Sequence, residues 1–229
     1  MPASLFKVVK DQRDLLLFRD FKPALPGSAS AYLAWGMFTT WLAGIGRYWD
    51  HPYAETWQYL GLGSLGYVFV MAALIWAITL PLRPANWSYQ NVLVFVMLTS
   101  LPAILYAIPV ERFTTLQTAQ ALNMLFLGVV ATWRVALLLR FLMRSAKLPF
   151  STAFVAAFLP LVLIVTALVA LNLEKAVFEI MGGLGKQTSN DEAYGVLIAI
   201  TAASLLASPI LLVAYAIKVT KAETAAPPP

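Results

Sequence analysis

The stretch FSTAFVAAFLPLVLIVTALVAL, residues 150–171, decides the fold of this chain. It contains no charged residue. A helix needs about 20 apolar residues to cross the hydrocarbon core of a bilayer, and this stretch supplies them. The sequence therefore predicts a membrane-spanning helix at these residues.

The composition of the whole chain points the same way. Of the 229 residues 60% are hydrophobic and 12% are charged, and the mean hydropathy is +0.75. Soluble domains average about 45–50% apolar and 25% charged residues. So few charges exclude a soluble enzyme, a disordered chain, a coiled coil and a basic nucleic-acid binder. The chain has no cysteine, which rules out disulfides, iron–sulfur ligation, thiolate zinc sites and palmitoylation.

We predict an all-α fold, a polytopic bundle of six transmembrane helices. Each predicted span ends at charged residues or at turn-forming Pro, Asn and Gly residues. The first span is the shortest and least apolar of the six. The predicted spans are residues 30–46, 60–80, 92–110, 119–139, 150–171 and 194–217.

Two terminal segments flank the predicted transmembrane domain, residues 29–217. In residues 1–28, apolar side chains recur at near-helical spacing between Lys and Arg residues, which predicts an amphipathic helix on the cytoplasmic membrane surface. A solvated tail is the alternative. Residues 218–229 are small and proline-rich and are predicted to form a disordered cytoplasmic tail. The apolar residues of the first segment are Leu5, Phe6, Val9, Leu16 and Leu17.

The distribution of charge predicts the orientation. With the N-terminus in the cytoplasm, most Lys and Arg residues lie on the cytoplasmic side, where they face anionic lipid headgroups. Most acidic residues then lie outside. Both termini on one side require an even number of spans, which agrees with six. The absence of cysteine and of a targeting sequence favours the inner membrane of a bacterium, with both termini cytoplasmic.

Arg134 is the one charge well inside a predicted span. An ionisable residue at such a position is a candidate functional residue. Gln120 and Asn123 fall near the same helix face, and Asp20 or Asp14 is the expected partner of the arginine. Because Arg134 lies about five residues from the predicted inner end, it is an anchor inside the bundle, a snorkelling side chain, or part of a substrate or ion path.

The segment after the first span is the densest in polar and aromatic groups. Arg47, Asp50 and His51 are candidates for an outer mouth, together with Glu111 and Arg112 after the third span. The two loops could meet through Glu111 with Arg47, or Asp50 with Arg112. One histidine with loose carboxylates is a poor metal site, so we expect no metal and no cofactor. An aromatic anchor at the headgroup level is the alternative.

Three predicted spans contain a proline: Pro102, Pro160 and Pro209. Each removes a backbone hydrogen bond and frees the carbonyl four residues earlier. Interrupted helices mark midplane binding sites in many transporters, although proline kinks also occur without a site. The hydroxyl residues on one face near Pro209 are Thr201, Ser204 and Ser208.

Small residues on the last span indicate a helix contact. Ala199, Ala203 and Ala207 form a small-xxx-small ladder, which permits close packing within the bundle, against another protein or in a homo-oligomer. Three functions are compatible with these features. The first is a non-enzymatic subunit or assembly factor of a membrane complex. The others are a small-solute or ion transporter using the broken third and sixth spans, and an enzyme acting on lipids.

Overall fold

A computed structural model describes residues 5–19, 21, 27–49, 54–173 and 191–224. The described part is helical and contains no strand. Its helices, in chain order, are α1 (Leu5–Leu16), α2 (Ala29–Gly46), α3 (Thr56–Tyr59), α4 (Leu62–Thr79), α5 (Tyr89–Leu98), α6 (Leu116–Arg144), α7 (Phe150–Ala170) and α8 (Asp191–Thr224). Short 3-10 segments at Leu80–Leu82, Leu101–Ala107 and Val110–Arg112 continue α4 and α5.

Five elements of the described part are long and apolar enough to cross a membrane. They correspond to the second to sixth predicted spans and fit a multi-pass membrane protein. The first predicted span is helical but is not among them. The five are Leu62–Leu82, Tyr89–Arg112, Gln117–Arg144, Phe150–Ala170 and Ile198–Thr224.

Helix α5 forms the centre of the bundle. All residues from 92 to 98 are buried, so this helix is enclosed on every side. It packs against α2 and α4, and Phe95 stacks on Phe141 of α6 with ring centroids 4.2 Å apart. The third predicted span is not one continuous α-helix. After Leu98 it turns into a 3-10 segment, because Pro102 cannot continue the α-helical hydrogen bonding.

Helix α2 does not reach the hydropathy of the five candidate spans, and its buried face is used for close packing. Gly36 and Gly44 lie in its buried face, together with threonines. A Cβ atom on Gly36 would lie 2.8 Å from the Cβ of Met97, and one on Gly44 would lie 2.9 Å from the carbonyl oxygen of Gly61. Glycine at these positions therefore lets α2 approach α5 and the start of α4.

Helix α8 lies at the side of the bundle and packs mainly on α7. At one end the Tyr215 hydroxyl donates to the Ile78 carbonyl oxygen at 2.8 Å. Nearby, the Lys218 amine donates to the Ser151 hydroxyl at 2.8 Å. The helix continues to Thr224, so its last turns differ from the disordered tail predicted from residue 218. Its remaining surface carries exposed apolar residues, as expected for a helix facing lipid.

Helix α1 packs on the bundle through an unexpected face. Val8, Gln12 and Leu15 are buried, whereas Leu5 and Phe6 are exposed. A helix is present at residues 5–16, but two of the apolar side chains on which the prediction of an amphipathic helix rested, Leu5 and Phe6, point away from the bundle. The buried face of α1 makes a polar contact with the bundle through Gln12, as well as apolar contacts through Val8 and Leu15.

The close contact at Gly44 yields a prediction. The change Gly44→Ala should lower the free energy of unfolding by about 1–3 kcal/mol, because the added methyl group meets the Gly61 backbone. Gly128→Ala in α6 is the matched control: its Cβ would have nothing within 4 Å, so the change should be neutral or stabilising. Thermal unfolding of both variants in one detergent measures the difference, and equal midpoints would contradict the close contact.

Candidate functional site

The break in α5 is the first candidate site. Pro102 has no N–H, so the carbonyl of Leu98 loses its helical partner. The side-chain amide of Gln12 in α1 donates to this oxygen at 2.9 Å, and both groups are buried. A residue from the N-terminal helix thus replaces the missing backbone hydrogen bond.

The neighbouring carbonyls of the break are also satisfied. Thr99 Oγ1 lies 3.0 Å from the carbonyl oxygens of Phe95 and Val96, which share its single hydroxyl proton. Ser100 Oγ donates to the Val96 carbonyl at 3.1 Å. These hydroxyls lie within one helical turn of the carbonyls that they contact. The contribution of Gln12 was missed, because no local pattern links it to the break.

Gln12 uses all its hydrogen-bonding groups. Its Oε1 accepts from the indole N–H of Trp35 at 2.6 Å, and its Nε2 lies 3.5 Å from Thr39 Oγ1 as well as 2.9 Å from the Leu98 oxygen. A buried amide is stabilising only when it is fully paired, and here it is. We call Gln12, Trp35, Thr39 and Leu98 the Gln12 site.

Two further contacts hold α1 on the bundle. The Asp11 carboxylate accepts from Lys7 Nζ at 2.6 Å and from the Tyr32 hydroxyl. At the C-terminal end of α1, Trp133 of α6 donates its indole N–H to the Leu16 carbonyl at 2.9 Å. Together with the Gln12 site, these contacts fix α1 to α2, α5 and α6.

The Lys7–Asp11 pair sets the pH range of one of these contacts. The hydrogen bond that Lys7 donates to the Asp11 carboxylate raises the pKa of Lys7 above its ordinary value of 10.5. The charged lysine is therefore favoured in the folded protein. Its stabilising contribution is fully present below pH 10.5 and is lost only as the pH rises through the raised pKa. At neutral pH this contact is intact.

Arginine and aromatic side chains form a second candidate site where α2 ends. The Arg47 guanidinium carbon lies 5.2 Å from the ring centroid of Tyr106 and 5.7 Å from that of Tyr48. Arg112 lies 5.0 Å above the ring of Trp49. These distances are within the range of cation–π interactions. Arg47 and Arg112, both predicted at an outer mouth, thus lie over aromatic rings.

Arg134 belongs to the same region. Helix α6 does not end near residue 139 but continues to Arg144, so the estimate that Arg134 lies five residues from the helix end was wrong. Arg140 is itself a good helix former and does not stop the helix. The Arg134 guanidinium carbon lies 5.7 Å from the ring centroid of Tyr67 in α4, and α6 packs against the 3-10 segment that contains Tyr106.

The partners proposed for these charged residues differ from the observed ones. Glu111 accepts a hydrogen bond from the Asn123 amide at 2.6 Å. Asp14, one expected partner of Arg134, pairs with Arg13 at 3.1 Å and with Arg19 at 3.5 Å. Gln120 is half-buried on α6. Asp20, Asp50 and His51 lie outside the described residues, so the predictions for them stay predictions.

The polar residues of α8 have separate environments. Ser208 Oγ donates at 3.3 Å to the Leu205 carbonyl, the one that Pro209 frees. Ser204 is buried, and Thr201 Oγ1 is buried with no hydrogen-bond partner among the described residues. In the alanine ladder, Ala199 and Ala203 are exposed and Ala207 is half-buried, so this face of α8 turns away from its own bundle.

The Gln12 site can be tested by substitution. Gln12→Leu should cost about 1–3 kcal/mol of unfolding free energy, because it leaves the Leu98 oxygen and the Trp35 N–H without partners. Hydrogen exchange across residues 5–16 should rise in the same variant. Gln117→Leu, at an exposed position of α6, is the control and should change neither quantity. Unchanged exchange in Gln12→Leu would show that the amide does not hold α1.

Comparison with known proteins found no match. No protein-family model, no curated protein and no solved structure is similar to this chain at a significant level. The side chains described above are therefore the basis of the function proposed next.

Proposed function

We propose that this chain is a non-enzymatic multi-pass membrane protein that works as a subunit or assembly factor of a membrane complex. It crosses the membrane six times, with α2 as the first span and both termini in the cytoplasm. The expected location is the inner membrane of a bacterium. No catalytic residue, cofactor or metal is part of the proposal.

The closed helix break is the observation that carries this proposal. A transporter with a midplane site at a broken helix needs backbone groups that are open to a solute. At the break in α5, the carbonyls of Val96 and Leu98 are instead occupied by side chains of the protein, and Thr40 Oγ1 lies 3.4 Å from the Met97 carbonyl. A bundle whose interior is filled by its own side chains is better suited to a structural subunit than to a transporter.

The position of α2 supports a sixth span. It has 18 residues and is therefore about 27 Å long, close to the thickness of the hydrocarbon core. It packs against α4, α5 and the 3-10 segment Leu101–Ala107, all parts of candidate spans. A helix among spanning helices needs less apolar surface than one that faces lipid, which explains its lower hydropathy.

The outer surfaces of α1 and α8 support contacts with lipid and protein. Phe6 is 80% exposed and Leu5 is 60% exposed, so α1 turns apolar side chains away from the bundle, where they can enter the cytoplasmic leaflet. On α8, exposed Ala199 and Ala203 leave room for the backbone of another helix to approach closely. We assign this face to a transmembrane helix of a partner protein.

Transport is the second candidate, and Arg134 favours it. The residue lies within α6, ten residues before the last residue of the helix. An ionisable side chain inside a spanning helix often marks an ion or solute path. Flux of a small anion through liposomes that contain the purified protein, abolished by Arg134→Gln, would favour transport over the subunit role.

Cysteine labelling tests the proposed topology, because the chain has no cysteine of its own. Single cysteines at Lys10, Phe113 and Glu223 all replace exposed residues. In intact cells a membrane-impermeant maleimide should label only the cysteine at Phe113. The other two should react after the membrane is permeabilised. The unsubstituted chain is the control, and labelling of Lys10 and Glu223 positions on opposite sides would refute six spans.

The proposed partner helix can be tested at Ala203. In mild detergent, the wild-type protein should co-purify with a stoichiometric membrane partner that Ala203→Leu releases, because the larger side chain prevents close approach. Ala131→Leu, on an exposed position of α6, should keep the partner. Retention of the partner by Ala203→Leu would contradict the proposal. So would disulfide-linked dimers of an Ala203→Cys variant, which would identify the occupant as a second copy.

A further inference from the structure

Arg134 has an unusual set of neighbours for an arginine inside a spanning helix. Its contact within the described part of the chain is the ring of Tyr67, at 5.7 Å from the guanidinium carbon. None of the hydrogen bonds or ion pairs among the described residues involves this side chain. Arg134 is half-buried, and its guanidinium group carries five N–H donors. A charge in this position requires acceptors to offset its loss of hydration.

The ends of α6 are too far away to supply these acceptors. Arg134 is about 15 Å along the helix from Arg144 and about 27 Å from Leu116. Side chains on a helix tilt toward its N-terminus, so Arg134 points toward the end of the bundle where Arg47 lies. Its neighbour Tyr67 is about 8 Å along α4 from Leu62 at that same end. The charge therefore lies within the spanning region and below this end of the bundle.

A second arginine shares this environment. Arg47, at the end of α2, lies over the ring of Tyr106. Tyr106 belongs to the 3-10 segment Leu101–Ala107, which packs against both α2 and α6. Three helices and a 3-10 segment thus bring two arginines and two tyrosines together. We call Arg47, Tyr67, Tyr106 and Arg134 the arginine–tyrosine site.

The surface beside this site is open and apolar. Tyr67 is 45% exposed, and a Cβ on the adjacent Gly66 would have no atom within 4 Å. One turn further along α4, Val70 is 69% exposed. An apolar chain can therefore lie along α4 next to the two arginines. This combination of a positively charged site with an adjoining apolar strip matches an amphiphile with an anionic head.

We propose that the arginine–tyrosine site binds the phosphate group of an anionic phospholipid. The planar guanidinium of Arg134 offers paired N–H donors to phosphate oxygens, and Arg47 adds a second positive charge. The tyrosine hydroxyls are further donors, and the acyl chains lie along Gly66 and Val70. This ligand is independent of the partner helix proposed for α8, because the two surfaces are on different helices.

Native mass spectrometry of the purified protein in detergent tests this site. Phosphatidylglycerol should bind the wild-type protein, and Arg134→Gln should weaken that binding about tenfold or more, the effect of losing a charge-assisted hydrogen bond. Arg134→Lys should bind with intermediate affinity, because an ammonium group lacks the paired donors. Arg144→Gln, at the far end of the same helix, is the control and should bind as the wild type does.

Measurements with other ligands distinguish a lipid phosphate from a free anion, and further variants replace any that fails to fold. Phosphatidylcholine, which has a phosphate but no net charge, should bind more weakly than phosphatidylglycerol. Inorganic phosphate should neither raise the thermal midpoint nor displace the lipid; if it does both, the ligand is a free anion and the lipid assignment is wrong. Should Arg134→Gln fail to fold, Arg47→Gln and Tyr67→Leu replace it. Wild-type affinity for phosphatidylglycerol in the folded variants would overturn the proposal.

Discussion

A backbone carbonyl inside a bilayer cannot accept a hydrogen bond from water, so the protein itself must supply the donor. Pro102 creates such a carbonyl at Leu98, in the most enclosed helix of the bundle. The donor comes from Gln12, whose own oxygen is paired with Trp35. Because α1 meets this need, it becomes part of the bundle, and the apolar side chains of Leu5 and Phe6 are left exposed.

Hydropathy predicted the long helices for a physical reason. Lipid contact and burial inside the bundle both demand apolar residues, and the second to sixth predicted spans all correspond to apolar helical elements. Hydropathy does not identify α2 as a span. At Gly36 and Gly44 this helix has glycine in place of a larger apolar residue, which allows close helix contact but lowers the hydropathy. Proline positions likewise predicted where α5 breaks. The local hydroxyls at Thr99 and Ser100 were predictable, since their targets are one turn away.

The sites themselves were less predictable, because they join distant parts of the chain. Gln12 is 86 residues from Leu98, and nothing in the surrounding sequence marks the pair. Arg134 was recognisable as an isolated charge, but its place in the helix was misjudged when the span was ended at its apolar residues. Tyr67 carried no signal at all, since a tyrosine in an apolar helix is ordinary until a neighbouring helix brings an arginine to its ring.

The attachment of α1 also imposes an order on biosynthesis. The residues that hold this helix include Leu98 and Trp133, the latter 117 positions after its partner Leu16. When α1 leaves the ribosome, neither partner has been translated. Helix α1 can therefore complete its contacts only after α5 and α6 have been translated. Until then its polar side chains are open to chaperones or insertion factors.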